Sequence, residues 1–209
     1  LFRSAIAKRS GGSTLKPFLY ALALSQGLSE TTVIADTARS YKTPAGDYIP
    51  FNANRIEHGP VTVSEALGSS LNLAAMKAME KVGVSNFFDF LTRVKLADDP
   101  TKDALYYGYG LALGNLDVSL FRLTQAYGCL ARQGNFGELR LLSSDPLTAT
   151  RLLSPEAVET ISMILSDHNA RLLAFGNPYF FNFGFRVAIK TGTSDGYRDA
   201  WTLAFTSEH

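Results

Sequence analysis

The chain has 209 residues, 46% apolar and 19% charged, enough for one domain with a substantial core. Its 20 basic and 19 acidic residues leave a net charge of +1, which excludes a nucleic-acid binder held by phosphate contacts. No window reaches the roughly 18 to 20 continuous apolar residues of a membrane span, and no signal peptide is visible. The chain is therefore either cytosolic or preceded by a targeting segment. Cys129 is the only cysteine, so no intrachain disulfide can form, and its apolar helical surroundings read as core. His58, His168 and His209 are scattered without metal-ligand spacing.

In chain order, Ser13 to Ser25 reads as a helix apolar almost all round, hence buried on most sides, with Gly27 as its stop. Pro17 cannot donate to the carbonyl of Ser13 and clashes with it in a helix interior, which puts Ser13 at or beside the helix start. Residues 29 to 61 are polar and rich in turn formers, among them Pro44, Gly46, Pro50 and Gly59-Pro60, and read as an irregular surface excursion. Tyr48, Pro50 and Asn52 within it read either as cleft lining or as plain loop. Thr62-Val63-Ser64-Glu65 fits a capping box, starting a short helix broken near Gly68-Ser69-Ser70. A second helix runs from Leu73 to Val82 and stops at Gly83, and Ser85 is placed to cap a third through Val94. Leu111 to Gly114 is a small-residue turn, Leu120 to Arg132 a helix, and Ser154-Pro155-Glu156 the start of a helix reaching about Ser166. The pattern then changes. Phe183 to Ile189 and Ala200 to Thr206 are rich in aromatic and β-branched residues at strand length, with turn composition from Gly192 to Gly196. One hairpin, about 183–207, thus follows a helical region of about 13–175.

Three short elements carry chemistry: Ser13-Thr14-Leu15-Lys16, Ser70-Leu71-Asn72 and Lys190-Thr191-Gly192. A serine hydroxyl is a weak nucleophile and needs a base. Residues three apart on a helix share a face, so Lys16 can lie against Ser13 without help from distant chain. To accept a proton near pH 7 its pKa must fall by about 3 units, which burial and a nearby cation such as Lys190 both favour. A helix start also supplies backbone N–H groups for an oxyanion. Each element alone has a plain reading: a capping serine with a solvated lysine, a helix break, a polar strand end. Together, in this order and these contexts, they form the S-x-x-K, S-x-N, K-T-G signature of serine β-lactamases and penicillin-binding proteins.

The sequence resembles the transpeptidase domain of the bifunctional (class A) penicillin-binding proteins, most like the 1C type, over essentially the whole chain. Beyond the trio, the resemblance rests on Gly12 through Phe18, on Leu111-Ala112-Leu113-Gly114 leading into Val118-Ser119 and Ala126-Tyr127, and on Lys190 through Ser194 with Arg198-Asp199-Ala200-Trp201. Gly11 departs from the residue, commonly proline, that the family places there. The resemblance implies an α/β (α+β) fold of the β-lactamase/transpeptidase type, an antiparallel sheet flanked by helices plus an all-helical subdomain. It implies that Ser13 attacks the penultimate D-alanine carbonyl of a peptidoglycan stem peptide, with Lys16 as base and Ser70 relaying a proton to the leaving amine. Asn72 would hold the substrate amide and help position Lys16. Lys190, Thr191, Gly192 and Thr193 would hold the terminal carboxylate region, and the N–H groups of Ser13 and Thr193 would form the oxyanion hole. β-Lactams would be covalent partners, and an upstream glycosyltransferase domain would accompany this one in the cell envelope, on the periplasmic face of the inner membrane. No metal, organic cofactor or nucleic acid is implied.

A β-lactamase-like hydrolase needs a deacylating device, such as a glutamate in a Glu-x-x-Leu-Asn pattern. None of Glu80, Glu138, Glu156 and Glu159 begins one. A β-lactam sensor or an inactive scaffold shares the fold and stays open as an alternative. Trp201 reads as core, Leu111 to Gly114 as a close-packed turn or a site element, and Arg198 and Asp199 as a structural ion pair, with a catalytic role as the lesser alternative. The family's sheet has about five strands. Only 12 residues precede Ser13 and the chain stops just past the second strand of the hairpin, so the sheet is expected to be incomplete here.

Overall fold

A computed structural model describes residues 3–206 except 44, 45, 141, 177–182, 195 and 197. Two short elements open it: α1 (Arg3–Ile6) and β1 (Lys8–Ser10). A 3₁₀ turn, Gly12–Leu15, then leads into α2 (Lys16–Ser25). Ser13 thus lies in a tighter turn ahead of the α-helix rather than in its first residues. The cause is Pro17, which occupies the first turn of α2 and allows only an i+3 bond upstream, from Lys16 N–H to Ser13 O. Leu15, Phe18, Leu19, Tyr20 and Ala21 are fully buried, as an all-round apolar helix requires.

The segment from 29 to 61 is not a mere surface excursion. It holds β2 (Val33–Asp36), β3 (Tyr41–Thr43), β4 (Gly46–Tyr48) and β5 (Gly59–Thr62). β2 pairs antiparallel with β5, and β3 with β4. Asp36, Tyr41, Asn52 and Val61 are buried. The strands are only three or four residues long, too short for a period of two to show among so many turn formers.

α3 (Val63–Gly68) follows β5 directly, with the capping box formed in both directions: Thr62 Oγ1 accepts from Glu65 N at 3.1 Å, and Glu65 Oε2 accepts from Thr62 N at 2.8 Å. Next come α4 (Asn72–Val82) and α5 (Val84–Arg93). Ser85 does not cap α5. Gly83 holds that position at φ 85°, which serves at once as the stop of α4 and the start of α5. α6 (Ala104–Tyr107), a 3₁₀ turn Gly108–Leu113 and β6 (Asp117–Ser119) lead to α7 (Leu120–Ala131), capped by Ser119. β6 pairs with β1. A small pair, β7 (Asn135–Phe136) and β8 (Thr150–Arg151), precedes α8 (Pro155–Ser166), whose Ser154 cap forms as read.

After a 3₁₀ turn, Asn169–Arg171, and α9 (Leu172–Phe175) come β9 (Ala188–Thr193) and β10 (Ala200–Phe205), paired antiparallel from Ala188↔Phe205 to Thr193↔Ala200. The hairpin exists, but its first strand begins at Ala188, five residues later than its composition suggested, so Lys190-Thr191-Gly192 lies within the strand. The aromatic stretch at 183–187 lies outside that strand, and residues 195, 197 and 207 of the expected hairpin lie outside the described residues. One core joins the layers: Phe18 packs edge-on against Tyr127 at 5.3 Å and near Phe90 at 5.7 Å, and Tyr127 meets Phe205 of β10 at 6.2 Å.

Candidate active site

Three glycines bring the serine turn, the Leu111–Gly114 turn and β9 into backbone contact. Gly12 N donates to Gly114 O at 3.0 Å. A Cβ on Gly114 would stand 1.9 Å from Gly12 O, one on Gly12 2.6 Å from Thr193 O, and one on Gly192 2.6 Å from Thr14 Cγ2. Each position has room for hydrogen only. Tyr127 fastens the turn from below, its buried hydroxyl donating to Thr14 O at 2.8 Å. Ser13 is carried half-exposed into a cleft of about 1790 Å³, which Ser70, Asn72, Thr191, Gly192 and Thr193 also line. Among the described residues its hydroxyl has no hydrogen-bond partner. The Thr193 backbone lies against Gly12, the residue before Ser13.

Ser70 ends the break after α3 at φ 57°, a left-handed conformation uncommon for serine. That twist turns its two oxygens to different lysines. Lys16 Nζ donates to Ser70 O at 2.7 Å, to Leu71 O at 3.3 Å and to Asn72 Oδ1 at 2.7 Å. Lys190 Nζ donates to Ser70 Oγ at 2.8 Å and to Thr191 O at 2.7 Å. The hydroxyl of Ser70 accepts from Lys190, which leaves its own hydrogen for a group in the cleft.

Both lysines are buried. Burial pulls Lys16 down to about 7, against the charge of Asp36, which pushes it up. Burial likewise holds Lys190 well below the ordinary lysine range, joined by the positive charges of Lys16 and of Arg171. A neutral Lys16 has two N–H groups and a lone pair. The two 2.7 Å acceptors can take the hydrogens, which leaves the lone pair able to accept a proton.

Of the residues singled out in the three motifs, Ser13, Ser70, Asn72, Thr191, Gly192 and Thr193 line one cleft, while Lys16 and Lys190 are buried behind it and joined to it through Ser70. Others had no recognisable signal. Arg171, buried under β9, donates to Ile189 O at 2.9 Å and also to Leu165 O, which sets a cation behind Lys190. Asp36 and Asn52 stand behind Asn72. Asp199, at the cleft, pairs with Arg9 at 3.0 Å rather than with Arg198, and its N–H donates to Ser194 Oγ at 2.8 Å. Trp201 is half-buried and donates from Nε1 to Ser10 O at 2.9 Å, fixing β10 to β1. Tyr48 and Phe51 line the cleft; Asn52 is buried beneath it.

Helices and short antiparallel sheets around a serine, two buried lysines and a bridging serine define a β-lactamase-like fold. The chain belongs to the family of the penicillin binding protein transpeptidase domain, which it matches over residues 3–202. It is 38% identical over 208 residues to penicillin-binding protein 1C of Escherichia coli K12, covering 96% of this chain and 25% of that protein. To penicillin-binding protein 1A of Aquifex aeolicus it is 31% identical, covering 98% of this chain and 29% of that one. Among solved structures, penicillin-binding protein 1A of Haemophilus influenzae superposes with a TM-score of 0.78 at 22% identity, over 97% of this chain and 37% of that one. The imipenem acyl-enzyme of Mycobacterium tuberculosis penicillin-binding protein A gives a TM-score of 0.79 at 18% identity, over 97% and 52%. The chain thus spans between a quarter and a third of the length of these curated relatives. No helix among the described residues is long and apolar enough to cross a membrane.

Proposed function

We propose that this chain catalyses acyl transfer from the D-Ala-D-Ala end of peptidoglycan stem peptides. Ser13 Oγ bonds to the penultimate carbonyl carbon as its proton passes to neutral Lys16. The C–N bond to the terminal D-alanine then breaks, and Ser70 delivers a proton to the departing amine. Asn72 holds Lys16 and the substrate amide, while Lys190, Thr191 and Thr193, with Gly192 allowing close approach, receive the terminal carboxylate. The amides of Ser13 and Thr193 bind the oxyanion. An amine from a second stem then attacks the acyl-enzyme and forms the cross-link.

The observation that carries the reading is Ser70, with its carbonyl on Lys16 and its hydroxyl on Lys190. Lys190 Nζ, 2.8 Å from Ser70 Oγ, can return to that hydroxyl the proton it gives to the departing amine, while Lys16 keeps the proton of Ser13 until deacylation. No glutamate lines the cleft among the described residues, which favours a transferase that keeps its acyl-enzyme for an amine over a fast hydrolase. On this reading β-lactams are covalent inhibitors; the resemblance to penicillin-binding proteins 1C and 1A supports a place at the bacterial cell envelope and a glycosyltransferase domain as neighbour. In the protein at its full natural length, fluorescent penicillin labels wild type and fails to label Ser13→Ala. Labelling that persists in Ser13→Ala overturns the assignment.

A further inference from the structure

Helix α4 has no cap of its own. Leu71 occupies the N-cap position and makes no side-chain capping bond. The first N–H groups are nonetheless taken by side chains from elsewhere. Asn52 Oδ1 accepts from Asn72 N at 2.6 Å and from Leu73 N at 3.3 Å, and Asp36 Oδ1 accepts from Ala74 N at 3.1 Å. The two capping residues are joined: Asn52 Nδ2 donates to Asp36 Oδ2 at 2.7 Å and to Ile56 O at 2.8 Å. His58 supports the same carboxylate oxygen through its N–H at 3.1 Å and its Nδ1 at 2.8 Å. Asp36 is fully buried and Asn52 nearly so. A buried carboxylate persists only with its lone pairs used, and here they are.

The helix start so held is what grips Lys16. Asn72 Oδ1 and the carbonyls of Ser70 and Leu71 receive its ammonium hydrogens. Asn72 Nδ2 donates to Phe51 O at 2.8 Å, the carbonyl beside Asn52, which fixes the amide with its oxygen towards Lys16. We infer that Asp36 and Asn52 are positioning residues for acyl transfer: a cap delivered in trans sets where α4 begins and therefore where Lys16 Nζ is aimed. The inference rests on Lys16 being the acylation base and extends that reading to what orients it.

Asp36 also acts through its charge. Lys16 faces Asp36 from β2 and Lys190 from β9, with Arg171 behind Lys190; Asp36 in turn faces His58 and the buried hydroxyl of Tyr20, which has no hydrogen-bond partner among the described residues. The negative charge favours the ammonium form of Lys16. Removing it makes Lys16 easier to deprotonate.

The test is the rate of acylation by fluorescent penicillin as a function of pH, in the full-length protein, for Asp36→Asn, Asn52→Ala and Lys16→Met. Asp36→Asn is expected to lower the plateau rate roughly ten- to a hundredfold and to move the acid-limb midpoint down by roughly half a pH unit. Asn52→Ala is expected to lower the plateau similarly and leave the midpoint in place. A merely structural cap would lower the melting temperature and change neither rate nor midpoint in the folded protein, and that outcome overturns the inference. Should Asp36→Asn not fold, Asn52→Ala keeps the buried carboxylate with its His58 and Ala74 bonds, and its acylation rate decides alone. If Lys16→Met acylates at the wild-type rate, the base assignment itself fails. If Lys16→Met is inactive while the folded cap variants are unimpaired, only the present inference is lost.

Discussion

The serine turn and the start of α4 approach the same two lysines and are held by different physics. At the serine turn, backbone approaches closely: Gly12 against the Thr193 backbone, Gly114 against the Gly12 backbone, and Gly192 against both the backbone and the methyl of Thr14. At the start of α4, side chains close the gap, with Asn52 and Asp36 reaching 20 and 38 residues along the chain to cap it. Backbone contact leaves no space for Cβ, so the geometry must be written into the sequence as glycine. A polar cap leaves no such mark, because an aspartate and an asparagine in a turn-rich stretch look the same whether they face water or a helix end.

The sharpest way to break this comparison is to put a methyl group where the turns touch. Gly114→Ala must accept both a left-handed backbone at φ 80° and a Cβ 1.9 Å from Gly12 O. The expected loss is on the order of 3 kcal/mol or more, with acylation falling in whatever protein still folds, since the neighbour displaced is the residue before Ser13. Gly27→Ala is the internal control. It too lies at positive φ, 96°, but a Cβ there meets nothing within 4 Å, so only the conformational strain, about 1 kcal/mol, should register. Thermal melts of both variants give the difference. Equal losses would mean that the close approach contributes nothing.

The same contrast explains what was legible in the sequence. The helices with apolar faces or local caps, α2, α3, α7 and α8, were readable because both signals act within a few residues. The three motifs were readable because Ser13 and Lys16 are local to each other and the glycines beside them are forced. The strands between 33 and 62 were not, being short and paired at a distance. Nor was the true start of β9: Phe183 and Phe185 have strand-like chemistry, yet pairing begins only at Ala188, opposite Phe205. Asp36 and Arg171 carried no signal, since their partners are backbone atoms or residues far along the chain.

A second test concerns the lysine between the two regions. If Lys16 must be neutral to take the Ser13 proton, the acylation rate rises with pH through a midpoint near 7, about tenfold per unit on the acid side. Stability should follow with a defined sign. In the unfolded chain a lysine keeps its proton to about 10.5, whereas the buried Lys16 gives it up near 7. Between those values the unfolded state binds more protons, so this group makes the fold more stable as pH rises, and its penalty is present in full below 7. Lys190, also held low by burial, acts with the same sign. Urea unfolding at a series of pH values should give a positive slope in that window for wild type and a shallower one for Lys16→Met. A slope unchanged by Lys16→Met would remove the basis for a near-neutral base.

The mildest test sets a local cap against the distant one. Thr62 caps α3 through Glu65 three residues on, and none of its bonds reaches the lysines. Thr62→Ala should cost about 1 kcal/mol, which for a chain of this size lowers the melting temperature by roughly 2–4 °C. Acylation by the folded protein should stay at the wild-type rate, because Ser70, though it follows α3, takes its position from Leu67 O and from the two lysines rather than from the helix start. Asn52 performs the same office for α4, yet its helix start is itself the grip on Lys16. The two caps should therefore differ in kind, Thr62 acting on stability alone and Asn52 on rate. A Thr62→Ala protein that melts only slightly lower but acylates tenfold slower would show that α3 also aims the site, and the division between the two regions would have to be redrawn.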